Sequence, residues 1–216
     1  VAGLSDVIAL AGGGLHSCAL KNDGTVACWG DNSEGQLGDG TGNNRHTPAP
    51  VVGLSGAIAI GAGDYHTCAL KSDGTVACWG LNDEGQLGND SGETGHQTPV
   101  VATGLSNVVV LSVGESHGCA LRADATVACW GDNAEGQLGD GTTANKPVPT
   151  AVSGLSGVAA LALGSDHSCA FKADRSVACW GYNGEGALGD GSLESRSTPA
   201  AVGGLTDVIA IASGGG

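Results

Sequence analysis

The sequence predicts an all-β protein built from β-propeller blades of about 50 residues, four repeats plus the first strand of a fifth, as a partial or open propeller. Two observations carry this. The segment Cys18–Gly30, Cys-Ala-Leu-Lys-Asn-Asp-Gly-Thr-Val-Ala-Cys-Trp-Gly, returns from Cys68, Cys119 and Cys169, at steps of 50, 51 and 50 residues. A fixed period in this range marks supersecondary units that bury their apolar faces only by stacking on one another. Each unit also holds four short strand-like segments separated by turn residues, which is the content of a propeller blade.

The elements follow in order. The repeats run over about 3–52, 53–103, 104–153 and 154–203, with a partial fifth over 204–216. Each opens on Gly-Leu-Ser/Thr and a Val/Ile/Ala run of strand length. A Gly-containing break leads to His-Ser-Cys-Ala-Leu, a short turn, and Thr-Val-Ala-Cys-Trp-Gly. The Gly- and Asn-rich stretch from Asp31 to Gly40 has no apolar period and reads as a loop. The closing segment Pro48-Ala49-Pro50-Val51-Val52 contains proline, which cannot donate to a ladder, so it is expected at a sheet edge.

The central hairpin can be read to its register. With Cys18 opposite Cys28, Leu20 faces Val26, Lys21 faces Thr25, and Asn22-Asp23-Gly24 remains as a three-residue loop. Such loops favour a type I turn followed by a left-handed residue, and Gly24 stands at that position. The alternation of pairs then makes Cys18–Cys28 a non-hydrogen-bonded pair, close enough to bridge. Repeats three and four place Ala125 and Arg175 at the left-handed position, a strain of about 1 kcal/mol each.

The cysteines thus form four pairs ten residues apart: Cys18–Cys28, Cys68–Cys78, Cys119–Cys129 and Cys169–Cys179. Zinc knuckles of the Cys-x-x-Cys type are absent, so disulfides are expected, and with them an extracellular or cell-surface setting. His16, His66, His117 and His167 each precede a Cys by two. The expectation is a structural imidazole held by its own blade's backbone, not a metal ligand. Glu34, Glu84, Glu135 and Glu185 recur with Asp39, Asp140 and Asp190. The stretch Asp31-Asn32-Ser33-Glu34-Gly35-Gln36 does not follow the calcium-loop pattern. Solvated turns are expected there, and no cofactor; calcium is the one ion these carboxylates suggest. Neighbours such as His16-Ser17 do not make a nucleophile and base, since adjacent strand residues point to opposite faces. No catalytic residue is assigned.

The net charge is −14, with 8 Lys and Arg against 22 Asp and Glu. Phosphate-backbone binding draws on clustered cations, so no nucleic-acid partner is expected. No stretch approaches the roughly 18 apolar residues of a membrane span, and membrane insertion is not expected. The apolar opening Val1–Ala11 has the look of a signal-peptide core, yet it recurs in every unit; any targeting signal is expected upstream.

His16-Ser17-Cys18-Ala19-Leu20, Gly24-Thr25-Val26-Ala27-Cys28-Trp29-Gly30 and Asn32-Ser33-Glu34-Gly35-Gln36-Leu37-Gly38 together resemble the regulator of chromosome condensation repeat, in a secreted bacterial-type version with one disulfide per repeat. The resemblance covers nearly the whole chain and departs from the pattern at Ala125, Arg175 and Ala187. It implies a seven-bladed propeller. The founding member is a nuclear nucleotide-exchange factor that also binds nucleosomes. That role is the remotest alternative here, since neither a basic tail nor a distinctive exchange loop is seen. A β-lactamase-inhibiting protein is among the secreted bacterial relatives.

The resulting expectation is a non-catalytic extracellular scaffold that works by protein–protein contact. Its partner would be another protein or further copies of itself. Four units and a strand imply a fragment of a longer chain, a homo-oligomer completed by another copy, or an open array whose edges template association. The alternative from another class is a secreted inhibitor or ligand-binding domain using one propeller face. In either case the contact candidates lie in the divergent loops: Asn43, Asn44, Arg45, His46, Glu93, His96, Asn145, Lys146, Glu194 and Arg196. These loops are polar and nearly free of aromatics, whereas binding hot spots favour Trp, Tyr and Arg, which favours the structural reading.

Overall fold

The computed structural model describes residues 1, 3–205 and 207–214. They form four separate four-stranded antiparallel sheets, each an up-and-down blade in simple sequence order. Blade one holds β1 (Val7–Gly12), β2 (His16–Lys21), β3 (Val26–Gly30) and β4 (Arg45–Pro50). Blade two holds β5 (Ala57–Ala62), β6 (His66–Lys71), β7 (Val76–Leu81) and β8 (Gly95–Val101). Blade three holds β9 (Val108–Val113), β10 (His117–Arg122), β11 (Val127–Gly131) and β12 (Lys146–Ala151). Blade four holds β13 (Val158–Leu163), β14 (His167–Lys172), β15 (Val177–Gly181) and β16 (Arg196–Ala201). The proline-bearing strands β4, β8, β12 and β16 lie at an edge of their sheets, where a missing N–H costs nothing.

The hairpin register is the one read from the sequence. Cys18 pairs with Cys28 and Leu20 with Val26. Lys21 N donates to Thr25 O and Gly24 N to Lys21 O, both at 2.9 Å, closing the three-residue loop. Gly24 has φ 76°, and Ala125 and Arg175 adopt the same turn at φ 63° and 68°. All four disulfides form within their hairpins, with Cα atoms 4.1 Å apart, and no free cysteine remains.

Each sheet uses its two faces differently, because alternate strand residues point to opposite sides. One face carries the disulfide with a Leu and a Val; the other carries two alanines and the Trp. The core lies between blades. Cys18, Leu20, Val26, Cys28 and Leu37 of blade one pack against Ala57, Ala69, Ala77 and Trp79 of blade two. The same set joins blade two to three and three to four. Small alanines on the receiving side let the sheets approach, and the Trp fills the remaining gap. In every blade the third and fourth strands skip register at the Trp, between Cys28 and Gly30 in the first. A bulge there bends the strand end. Trp79, Trp130 and Trp180 are fully buried, whereas Trp29, expected to be equally buried, is only half-buried. Among the described residues no blade packs on its face of blade one.

One further expectation is corrected. The histidines are not held by their own blade. His16 Nε2 bonds Thr67 Oγ1 of the next blade at 2.8 Å, and His117 Nε2 bonds Ser168 Oγ at 2.9 Å. Thr67 gives its only hydroxyl proton to Gln36 O, so it must accept from His16, which fixes the His16 proton on Nε2. Where the next blade offers Gly118 in place of Ser or Thr, neither nitrogen of His66 has a partner in hydrogen-bond geometry. The indole of Trp130 lies over Gly118, where an added Cβ would sit 2.7 Å from the ring.

Residues 208–212 match the sequence of β1 and lay Val208 and Ile211 against blade four, but they form no ladder. The 216 residues contain no counterpart of β2 to pair with them.

Candidate functional site: an acidic loop face

The loop between the third and fourth strands of each blade is organised by one buried asparagine. Asn32 Oδ1 accepts from Leu37 N at 2.9 Å, while Nδ2 donates to Thr41 O at 2.8 Å and Asn43 O at 3.1 Å. Asn82, Asn133 and Asn183 do the same work in the other blades. Gln36 adds a clamp, accepting from Glu34 N and donating to Asp31. Gln86 and Gln137 repeat it, and Ala187 leaves it out of blade four.

The solvated-turn reading of the second recurring carboxylate is overturned. The Asp39, Asp140 and Asp190 side chains are only 4%, 6% and 6% exposed, and they pair with Arg45, Lys146 and Arg196 at 2.6, 3.2 and 2.8 Å. Burial works to raise the pKa of Asp39, but hydrogen bonds from Thr41 and Arg45 hold it below the usual carboxylate value. In blade two Asn89 takes this position beside His96, and the charge pair is replaced by a 3.3 Å amide–imidazole contact.

The ten loop residues singled out from the sequence therefore divide. Arg45, Lys146 and Arg196 are bound to their aspartates. Asn44 Oδ1 caps Asn32 N, and Asn145 Oδ1 caps Asn133 N while its amide reaches across to Glu84 of blade two. Asn43, Glu93 and Glu194 give backbone carbonyls to the buried asparagines and keep their side chains exposed. His46 is exposed, and His96 lies 3.4 Å from Glu93.

Another set of acidic groups went unnoticed in the sequence because it falls in the tight turn between the first two strands, which carries no repeated motif. Asp64, Glu115 and Asp166 sit in these turns, at the same end of the blades as the Asn-centred loops. The turns line a depression of about 340 Å³ whose walls include Gly13, Gly63, Asp64, Gly114, Glu115 and Ser165. Glu115 is pushed above its ordinary pKa by burial and then by Asp64, Asp166 and Asp132. Asp166 is pushed up by burial, Asp132 and Glu135, and Glu84 by burial, Asp83 and Asp132. Carboxylates of three blades thus share one field. Lys21, Lys71, Arg122, Lys172 and Arg175 lie at the opposite end, in or beside the hairpin turns. No group of three or more His, Cys, Asp or Glu with metal-holding geometry occurs among the described residues.

The model of the RCC1-like domain matches residues 1–216. The chain belongs to the RCC1-like family. It is 35% identical over 139 residues to human E3 ubiquitin-protein ligase HERC2, an alignment spanning 63% of this chain and 3% of HERC2. Two solved structures superpose closely. Human WBSCR16 gives a TM-score of 0.86 at 25% identity, covering 96% of this chain and 56% of that one. Prp20p of Saccharomyces cerevisiae gives 0.85 at 25% identity, covering 100% and 56%. The chain therefore spans a small part of HERC2 and little more than half of each solved neighbour. The Prp20p structure is described together with its binding to Gsp1p and histones.

Proposed function

We propose that this RCC1-like chain is a non-catalytic extracellular scaffold that binds a protein partner of basic surface through its acidic loop face. The observation that carries the reading is the charge layout. Burial, and then carboxylates of neighbouring blades, raise the pKa values of Glu115 and Asp166 at one end, and the cations of the adjoining loops are already paired with Asp39, Asp140 and Asp190. A surface of one sign with little internal neutralisation steers and orients a partner of the other sign. Four disulfides in one chain support an oxidising compartment. Loops pinned by buried asparagines present this surface without an ordering cost on binding.

The test is retention of an arginine- and lysine-rich peptide by the immobilised chain, against a variant carrying Asp64→Asn, Glu115→Gln and Asp166→Asn. The native chain is expected to bind with an affinity that falls as salt rises, and the variant to lose about tenfold. Equal binding by the two proteins would refute the assignment of this face.

A further inference from the structure

The repeated glutamate of the loop face is tied to the following blade at two joints and free at the other. Between blades two and three the Asn145 amide donates to Glu84, and between blades three and four Ser195 Oγ donates to Glu135 at 3.2 Å. Between blades one and two the residue at that position is Thr94, which gives its backbone carbonyl to Asn82 N at 2.7 Å. The Glu34 carboxylate is exposed and has no partner among the described residues. Blades one and two are both complete four-stranded sheets, so this difference comes from their residues.

The same joint carries an apolar platform. One step beyond the His66–Gly80 pair of β6 and β7, Tyr65 stands opposite Leu81, and Leu81 N donates to Tyr65 O at 2.9 Å. Opposite residues of adjacent strands share a face, with Cβ atoms about 5 Å apart. Tyr65 is 38% exposed and its hydroxyl has no partner among the described residues, while Leu81 is half-buried. The other blades put Leu15 with Asp31, Ser116 with Asp132, and Asp166 with Tyr182 at these two positions. Each of those pairs contains an aspartate; the pair in blade two carries no charge.

The repeat shows what faces this platform. In blade four Asp166 takes the position of Tyr65, and after burial it is Asp132 and Glu135 of blade three that raise its pKa. Their counterparts before Tyr65 are Asp31 and Glu34 of blade one. Asp31 already accepts from Ser33 and Gln36, both at 2.8 Å, which leaves Glu34 as the free carboxylate. A guanidinium suits such a place: it is flat and weakly hydrated, stacks on an aromatic face and turns its N–H edge to a carboxylate. A strongly hydrated ammonium gains little from an apolar platform. We propose that an arginine side chain of the basic partner seats on Tyr65 and Leu81 and pairs with Glu34. The proposal rests on the loop-face reading and adds to it a preference for arginine over lysine. Tyr182 does not repeat the arrangement, because the glutamate of its joint, Glu135, is held by Ser195.

Affinities of the immobilised 216-residue chain for oligoarginine and oligolysine of equal length, at one salt concentration, test this. The native chain should hold oligoarginine about fivefold more tightly. Tyr65→Ala should bring the ratio of the two affinities to about one, and Glu34→Gln should lower it. Tyr65→Phe keeps the ring and should keep the ratio. Circular dichroism checks that all three variants are folded, as the exposure of Tyr65 and Glu34 leads one to expect. Equal affinities of the native chain for the two peptides, or a preference that survives both Tyr65→Ala and Glu34→Gln, would overturn the arginine site. If both peptides still bind and the triple variant at Asp64, Glu115 and Asp166 loses them, the loop-face reading stands without it. A native chain that retains neither peptide would overturn both.

Discussion

Thr67→Val is the sharpest probe of how the blades are joined. Valine keeps the shape of threonine and removes only the hydroxyl, which is fully buried in this joint. Two hydrogen bonds go with it: the 2.8 Å contact with His16 Nε2 and the 2.9 Å bond to Gln36 O. Their losses differ. Gln36 O keeps the indole of Trp79 at 2.9 Å, so the change there costs only the net worth of a bond, about 0.5–1.5 kcal/mol. The His16 Nε2–H is left buried without its hydroxyl acceptor, which adds a desolvation penalty of about 1–3 kcal/mol. The expected total is about 1.5–4.5 kcal/mol, read as a lower denaturation midpoint in urea with an unchanged slope. Ser17→Val in the same 216 residues is the internal control, because Ser17 is the equivalent residue of blade one and meets no histidine among the described residues. That change should stay within about 0.5 kcal/mol. Equal effects from the two substitutions would refute the claim that the hydroxyl works across the joint and not within its own sheet.

Two other outcomes are expected. Burial pushes His16 down to about 4, partly opposed by Asp31 and the backbone of Asp64, and it pushes His66 and His117 down to about 3. The unfolded chain binds these protons near pH 6.5 and the folded chain does not, so their contribution is complete above about pH 7 and falls as the pH drops toward 4. The steepest loss is about 4 kcal/mol per pH unit for three such groups, with Glu115, Asp166 and Glu84 acting in the opposite sense because their pKa values are raised. Urea midpoints that match at pH 7 and pH 5 would contradict the neutral, buried assignment. Ala125→Gly should stabilise the third hairpin by about 0.5–1 kcal/mol, since Ala125 holds φ 63° where glycine is unstrained, and Gly24→Ala should do the reverse. Thermal unfolding of the two variants checks the pair of signs.

The strand order, the hairpin register and the disulfides were legible in the sequence because each is decided within about a dozen residues. Cys18, Asp23, Gly24 and Cys28 select one turn and one ladder without reference to the rest of the chain. The candidate site was legible only in its outline. The loops after the Leu-Gly corner were identified from their divergence, but the burial of Asp39 and its pairing with Arg45 depend on how the loop closes around Asn32. Asp64 and Glu115 share a position before the repeated His, and nothing local marks the field they make together.

What the sequence determined by itself is the blade: its strands, its turn and its two unlike faces. The tertiary structure decided which of four identical motifs is buried, because burial belongs to the neighbour and not to the residue. Trp29 and Trp79 sit in the same Ala-Cys-Trp-Gly segment, yet among the described residues only Trp79 has a blade packed over it. His16 and His66 are likewise the same residue in the same strand. One bonds a side-chain hydroxyl and the other does not, because that deciding atom lies about 50 positions away on the next blade, where His66 meets Gly118 instead.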